Sequence, residues 1–268
     1  MCPELFHIGD FAVRAYGLTL ALSFLVGLSL IRREARHLGL DPEALVNLGF
    51  VLIIFGVLGG RLGYVLYHLS DFADRPLDVI NPFQSGQFGI AGLNLQGGMI
   101  GGFLAGLIYL RLKSLPLAAS LDAVVPAVGF GIFLSRIGCY LNGCCFGTST
   151  EGPFGVHFPV SSPAHAIFGA SAVHPTQLYS SAYGLLLFLG LMWVNRRWYR
   201  VGRSVGLFFV AEAAFRLLIE PLRYYEEAMW LQIAGVGITY NVLAGTLMFL
   251  IGLYFLLKGS PDRGKTAW

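Results

Sequence analysis

The sequence has few charged residues and no polar linker. Each of these absences excludes some classes of protein. Charged residues make up only 12% of the 268 residues, whereas hydrophobic residues make up 56%. This composition excludes an ordinary soluble domain and a disordered chain. Because no Ser/Gly-rich or low-complexity tract divides the chain, we expect residues 1–268 to form a single integral membrane domain.

Cysteine is also scarce. The four cysteines are Cys2, Cys139, Cys144 and Cys145, and they lack the Cys-x-x-Cys spacing of zinc and redox motifs. Since free cysteine packs as a small hydrophobe, the sequence predicts no metal site, and nothing else in it calls for a cofactor. The net charge of +3 is too small to indicate a nucleic-acid partner.

Long apolar segments fill most of the chain. A helix needs about 20 apolar residues to cross a hydrocarbon core of about 30 Å. Seven segments approach or exceed that length: residues 11–31, 45–67, 93–112, 118–141, 177–194, 205–221 and 232–257. The sequence therefore predicts an all-α, polytopic membrane protein with seven transmembrane helices. Two longer connections, residues 70–93 and 147–176, predict a cap on one face.

Basic residues cluster after alternate segments and predict the orientation. Twelve of the 18 lysines and arginines follow the first, third, fifth and seventh segments: Arg32, Arg33, Arg36, Arg111, Lys113, Arg196, Arg197, Arg200, Arg203, Lys258, Arg263 and Lys265. By the positive-inside rule, this side is cytoplasmic. The amino terminus and the cap then lie outside, and the carboxyl terminus lies inside.

Polar residues recur at one depth in five of the segments. Arg61, Arg136 and Arg216 come late in segments that run outward, whereas Tyr16 and Gln96 come early in segments that run inward. At 1.5 Å per residue, all of them reach the outer third of the membrane. Independent anchors would be scattered around the bundle, so a common depth predicts one functional site toward the outer leaflet.

The residue types at this depth favour an anionic ligand. Guanidinium groups bind phosphate oxygens in bidentate fashion, and an anion with apolar tails at this depth is a phospholipid. Glycines near the polar residues predict helix breaks whose amides bind an anion. Candidate proton acceptors are Glu212 and Glu220, which flank Arg216 at four-residue spacing, and His174, His157 and His165 in the outer loop.

Six stretches together resemble the prolipoprotein diacylglyceryl transferases of the bacterial inner membrane, over nearly the whole chain. They are "RAYGL" at Tyr16, "GGRLGYVL" at Arg61, "GGMIGG" after Gln96, "SRIGCYLNGCCFG" at Arg136, "HPTQLY" at His174 and "GLFFVAEAAFRLLIEPLR" at Arg216. The resemblance implies transfer of the diacylglyceryl group of phosphatidylglycerol to the lipobox cysteine of a preprolipoprotein. Glycerol phosphate is the leaving group.

The resemblance also implies residue roles. Arg136 and Arg216 hold the lipid phosphate, and Tyr16 and Glu220 line the cavity. Glu212 and His174 join these four as candidate catalytic residues. The candidate substrate-binding residues are Arg61, Gln96, Gly97, Gly98, Asn142, Gly143, Gly147 and Arg223.

Several positions depart from the family pattern. Gln96 replaces the histidine of a His-Gly-Gly motif, and glutamine is not a base near neutral pH. Glu212 replaces a tyrosine, Ser180 replaces a glutamate, and Cys139 and Cys144 replace Asn and Glu of the signature. Two interpretations follow. The chain is a working transferase, or it is a paralogue that binds phosphatidylglycerol or passes its diacylglyceryl group to another acceptor.

Overall fold

The fold is built mainly from long helices. A computed structural model describes residues 4–8, 11–72, 83–84, 87–88, 94–160, 162–224, 230–233 and 236–258. The helices are α1 (Ala15–Leu38), α2 (Pro42–Tyr67), α3 (Leu69–Phe72), α4 (Leu95–Leu112), α5 (Leu117–Asn142), α6 (Pro163–Phe168), α7 (Thr176–Arg197), α8 (Arg203–Ile219) and α9 (Tyr240–Lys258). A 3-10 turn, Glu220–Leu222, extends α8.

Short antiparallel hairpins accompany the helices. The strands are β1 (Glu4–Ile8), β2 (Phe11–Arg14), β3 (Phe83–Gln84), β4 (Gln87–Phe88), β5 (Trp230–Ile233) and β6 (Val236–Thr239). They pair as β1 with β2, β3 with β4, and β5 with β6. The chain is mostly helical, as an all-α membrane protein is, and the short hairpins are additions that the sequence did not predict.

The predicted apolar segments coincide with helices α1, α2, α4, α5, α7, α8 and α9. Four of these helices, α1, α2, α5 and α7, are long and apolar enough to cross a membrane. The predicted helical membrane protein is thus confirmed at this level.

Two predicted helix starts are wrong. The first helix begins at Ala15 and not at residue 11, because residues 11–14 form β2. The last helix begins at Tyr240 and not at residue 232, because β5 and β6 occupy residues 230–233 and 236–239. Apolar strand residues raise the hydropathy of a window as much as helical ones do, so hydropathy alone does not separate them.

Glycine sets the distance between α2 and α4. A Cβ atom at Gly59 would lie 2.5 Å from the carbonyl oxygen of Gly97, and one at Gly101 would lie 2.5 Å from that of Phe55. The two backbones therefore touch, as the small-residue pattern predicts. Elsewhere α5 packs on α1 and α7, and α8 packs on α9.

A buried polar network joins the helices at the end of the bundle opposite residue 142. Asp122 of α5 is fully buried and accepts hydrogen bonds from the backbone nitrogens of Gly202, at 2.6 Å, and Val205, at 2.8 Å. It thereby caps the first turn of α8 from another helix. Asn195 of α7 donates to Glu34 of α1 at 3.0 Å and to the Asp122 carbonyl oxygen at 3.1 Å.

Asp122→Ala is expected to destabilise the protein strongly. Two buried amides lose their acceptor, and each unpaired buried group costs about 1–3 kcal/mol. Asp122→Asn keeps one acceptor oxygen, so its stability should decrease less. The measurement is the thermal unfolding midpoint in detergent, with Ser29→Ala as the control, because the Ser29 hydroxyl is exposed and bonds only within α1. An unchanged midpoint in Asp122→Ala would contradict the capping role.

Candidate functional site

Three arginines line one cavity at the end of the bundle where α5 and α8 finish. The cavity measures about 270 Å³, and its polar wall consists of Arg136, Ser180, Tyr183, Glu212, Arg216 and Arg223. Arg136 comes from the last two turns of α5, Arg216 from the last turn of α8, and Arg223 from the residue after the 3-10 turn. Three cations and one carboxylate give this wall an excess of positive charge.

Glu212 and Arg216 form an ion pair inside the cavity. Glu212 Oε1 lies 3.1 Å from a terminal guanidinium nitrogen of Arg216, and the Glu212 side chain is only 9% exposed. Nε of Arg216 is buried and has no hydrogen-bond partner within the described ranges. The Tyr183 hydroxyl lies beside the Glu212 carboxylate and interacts with it. Buried polar atoms are normally paired, so the free Arg216 donor marks where a polar ligand group fits.

Tyr183 is the cavity residue that the sequence reasoning missed. Its ring stacks on Phe215 with a centroid distance of 4.0 Å and an interplanar angle of 2°. Phe215 precedes Arg216 in α8, so this contact joins α7 to α8 at the arginine. The run of polar residues Ser180, Ser181 and Tyr183 inside an apolar helix was the available signal.

The loop after α5 fixes Arg223. Gly147 forms an antiparallel bridge with Arg223, and its amide donates to the His174 carbonyl oxygen at 2.9 Å. A Cβ atom at Gly147 would lie 2.3 Å from the Leu222 carbonyl oxygen, so only glycine fits this approach. The role of Gly147 in the structure is therefore to bring the two chain segments together.

The start of α7 holds the same loop. The side-chain amide of Gln177 donates to the Cys144 carbonyl oxygen at 2.8 Å, and the Thr176 hydroxyl donates to that of Cys145 at 3.0 Å. The stretch "HPTQLY" thus supports the loop through Thr176 and Gln177, both of which are buried.

The predicted anion-binding amides are engaged inside the chain. The Gly97 amide donates to the Asn94 side chain at 2.9 Å, and the Gly98 amide donates to the Asn94 carbonyl oxygen at 3.0 Å. The Gly143 amide donates to the Tyr140 carbonyl oxygen at 3.1 Å. Together with Gly147, these glycines serve helix capping and close packing, and the expectation that their amides face an anion is not met.

Other predicted residues lie outside the lining of the cavity. The Arg61 guanidinium is 5.2 Å from the ring centroid of Phe72 and 5.7 Å from that of Tyr64. Gln96 is exposed in the first turn of α4. The His174 ring lies 3.3 Å from the Tyr179 hydroxyl, and the Glu220 carboxylate accepts a hydrogen bond from Thr239.

Tyr16 lies on the neighbouring helix. α1 approaches α5 closely here, because a Cβ atom at Gly138 would lie 3.3 Å from Cα of Tyr16. The charge of Arg136 and the thiols of Cys139, Cys144 and Cys145 act on Tyr16 across this interface. Tyr16 itself is not among the residues that line the cavity.

Three cysteines meet beside the cavity. The Sγ atoms of Cys139, Cys144 and Cys145 all lie within 4.8 Å of one another. α5 ends in a Schellman turn in which Gly143 has φ of 72° and the Cys144 amide bonds the Cys139 carbonyl oxygen at 3.1 Å. This turn brings residues 139 and 144 into contact, so glycine four residues after Cys139 was the signal that could have predicted the meeting.

Cys145 adds strain and charge to this cluster. Its φ of 60° lies in the left-handed region, which costs a non-glycine residue about 1–2 kcal/mol. Hydrogen bonds with the thiols of Cys139 and Cys144 lower the pKa of the Cys145 thiol, and the positive charges of Arg136 and Arg223 lower it further. Arg136 and Arg223 also line the cavity, so the same two charges act on the cavity and on the Cys145 thiol.

An apolar groove adjoins the cavity. It measures about 360 Å³ and lies between α1, α2 and α5. Val128 and Ile132 of α5 line both the groove and the arginine cavity. A ligand with an anionic group and an apolar chain could therefore contact both at once.

The fold and the site define a helical membrane protein with a cationic cavity that opens beside an apolar groove. The chain belongs to the prolipoprotein diacylglyceryl transferase family, whose model matches residues 3–258. Among its relatives are phosphatidylglycerol–prolipoprotein diacylglyceryl transferases of three bacteria. That of Clostridium tetani is 32% identical over 225 residues, which cover 83% of this chain and 86% of the relative.

The other two relatives extend this similarity over almost the whole chain. The Synechococcus elongatus protein is 30% identical over 278 residues, or 99% of this chain and 92% of the relative. The Geobacter sulfurreducens protein is 34% identical over 255 residues, or 94% of this chain and 92% of the relative. The resemblance stated from the motifs is confirmed.

Proposed function

We propose that the chain transfers the diacylglyceryl group of phosphatidylglycerol to the lipobox cysteine thiol of a preprolipoprotein and releases glycerol phosphate. The observation that carries this proposal is the junction of the arginine cavity with the apolar groove at Val128 and Ile132. The phosphate of the lipid lies in the cavity, and an acyl chain lies in the groove. The names of the relatives support the same pair of substrates.

The arginines act on the leaving group. Arg136 and Arg216 hold the phosphate and stabilise the charge that develops as the carbon–oxygen bond breaks. Arg223 adds a third cation on the same wall. Asn142, Gly143 and Gly147 shape the loop that positions Arg223, and Tyr16 borders the site from α1.

Glu212 is the proposed proton acceptor. It is the one carboxylate in the cavity lining of the described residues, and it stands where the family has a tyrosine. It takes over the role for which Gln96 is chemically unsuited. Gln96, Gly97, Gly98 and Arg61 lie on the α2–α4 pair, outside the lining of the cavity. Glu220 braces the end of α8 through Thr239, and His174 supports the loop after α5.

The protein spans the bacterial inner membrane with α1, α2, α4, α5, α7, α8 and α9. The basic clusters before α2, α5 and α8 and after α9 support a cytoplasmic location for that end of the bundle. The cavity at the ends of α5 and α8 then faces the outer leaflet, under a cap formed by the connection between α5 and α7. A secreted preprolipoprotein presents its cysteine at this face.

The direct test uses purified protein in nanodiscs with phosphatidylglycerol and a lipobox peptide. We expect release of glycerol phosphate together with a diacylglyceryl mass increase on the peptide. A peptide with serine in place of cysteine is the control and should stay unmodified. Phosphatidylglycerol binding without release would contradict the transferase, and release without peptide modification would indicate another acceptor.

The apolar groove gives a separate prediction. A Cβ atom at Gly131 meets nothing within 4 Å, and Gly131 lines the groove, so Gly131→Phe fills it without a clash at the backbone. Displacing two methylenes of an acyl chain costs about 1.6 kcal/mol, which lowers kcat/KM by about tenfold. With a short-chain phosphatidylglycerol as substrate, the variant should show a smaller decrease in kcat/KM.

Gly190→Phe is the matched control for the groove. Gly190 on α7 is also open, with nothing within 4 Å of its Cβ position, but it is not part of the groove. Its activity should equal that of the parent protein with lipids of either length. Equal losses in both variants would mean that the groove does not receive the acyl chain.

A further inference from the structure

The thiol cluster at the end of α5 has the features of a soft-metal site. Three sulfur atoms lie within 4.8 Å of one another. In a tetrahedral zinc site the Zn–S distance is about 2.3 Å, which separates the sulfurs by about 3.8 Å. Shifts of about 1 Å at the side chains would close the cluster around such an ion. Soft thiolate ligands select Zn²⁺ or Cu⁺ over hard cations.

Local helix geometry explains the positions of only two of the three sulfur atoms. The Schellman turn at Gly143 accounts for the contact of Cys139 with Cys144. It does not account for Cys145, whose left-handed backbone turns a third thiol to the same point. Unfavourable backbone conformations of this kind concentrate at functional sites.

The surroundings suit a bound cation with three thiolates. Three thiolates and one divalent cation carry a net charge of −1, and the positive charges of Arg136 and Arg223, which act on Cys145, offset it. Cys145 is exposed, so an ion can enter from outside, whereas Cys139 is buried and anchors the site. No histidine, aspartate or glutamate joins the three sulfurs in the part of the chain that the structure describes.

The geometry points to a Zn²⁺ site formed by Cys139, Cys144 and Cys145, with a fourth position that takes the acceptor thiol of the lipobox peptide. Catalytic zinc sites use three protein ligands and one open position, and a coordinated thiol loses its proton. The binding of the acceptor thiol at the fourth position rests on the proposed transferase function, whereas the Zn²⁺ site itself does not.

The transfer to the acceptor thiol forms and breaks bonds as follows. The acceptor S–H bond breaks as the sulfur binds the ion, and the proton passes to a base in the cavity, for which Glu212 is the candidate. The sulfur then attacks the glyceryl carbon of the lipid. A carbon–sulfur bond forms, and the carbon–oxygen bond to the phosphate breaks with its electron pair on oxygen. Glycerol phosphate leaves beside the arginines.

Metal binding is tested first, without turnover. The full chain is purified in detergent with reductant, stripped of metal, and titrated with Zn²⁺ and, separately, with Co²⁺ as a spectroscopic probe. We expect one equivalent per chain and thiolate-to-cobalt charge-transfer bands in the near ultraviolet. Cys145→Ser and Cys144→Ser should lower the affinity at least tenfold. Cys2→Ser, which lies outside the described residues, is the matched control and should bind normally.

Several outcomes would overturn the metal site. They are binding of clearly less than one equivalent, cobalt bands that persist in both serine variants, and a disulfide between two of the three cysteines in the reduced preparation. The thermal unfolding midpoint of each variant is measured in parallel. Because Cys145 is exposed, Cys145→Ser should keep the parent midpoint and so remains informative if Cys144→Ser misfolds.

The fourth position is tested with the same cobalt-loaded protein. A lipobox peptide with cysteine should change the charge-transfer bands, and the serine peptide should not. Unchanged bands with the cysteine peptide would overturn the open position and leave a purely structural metal. Changed bands without diacylglyceryl transfer would overturn the proposed function while the metal site stands, so the two failures are distinguishable.

Discussion

Arg136→Ala is expected to lower kcat by about a hundred- to a thousandfold, the loss typical of removing one preorganised group that stabilises developing charge. Arg136 lines the cavity and neighbours both Tyr16 and Cys145. Phosphatidylglycerol consumption and peptide modification are measured together. Arg136→Lys keeps the charge but loses the planar two-pronged contact, and should recover only part of the rate.

The control for this prediction is Arg197→Ala. Arg197 is exposed at the other end of α7, and its loss should leave the rate unchanged. Arg136 is also preferable to Arg216 for the test, because Arg216→Ala would leave the buried Glu212 carboxylate without its ion pair and so weaken the fold. Near-normal turnover of a folded Arg136→Ala protein would contradict the phosphate-binding role.

The helices and part of the cavity could be predicted from the sequence alone. Depth along a helix follows from residue count, so Arg136 and Arg216 could be assigned to one level. The four-residue spacing of Glu212 from Arg216 put both on one helix face, where the structure forms an ion pair. Depth does not say which helices are neighbours. Arg61 and Gln96 share that level, yet they lie on the α2–α4 pair and do not line the cavity as described.

The thiol cluster shows a different limit. Cys139 and Cys144 do not match a metal-binding spacing, and their meeting depends on the left-handed turn at Gly143. That turn type is common for glycine after a helix, so the contact could have been inferred from the sequence. The conformation of Cys145 could not, because a non-glycine residue rarely adopts it. Tyr183 was missed for a similar reason: its position depends on stacking with Phe215 of another helix.

Glu212→Gln is expected to lower kcat by about a hundred- to ten-thousandfold, the contribution of a well-placed general base. Glutamine has nearly the same shape and can still accept a hydrogen bond from Arg216, but it does not take up a proton. The measurement is kcat for release of glycerol phosphate at saturating phosphatidylglycerol, recorded together with the thermal unfolding midpoint. The rate should fall while the midpoint stays close to that of the parent protein, because the amide keeps the contact with Arg216.

Glu212→Tyr, which restores the residue type implied by the family pattern, separates the base from the cavity shape. If the chain uses Glu212 in place of the absent histidine, tyrosine at this position should not rescue the rate unless Gln96→His is added. Rescue by the double variant, and not by either change alone, would show that a histidine at position 96 can replace the carboxylate at position 212 as the proton acceptor. A parent-like rate in Glu212→Gln would instead assign Glu212 to holding Arg216, because the amide preserves that contact while removing the base.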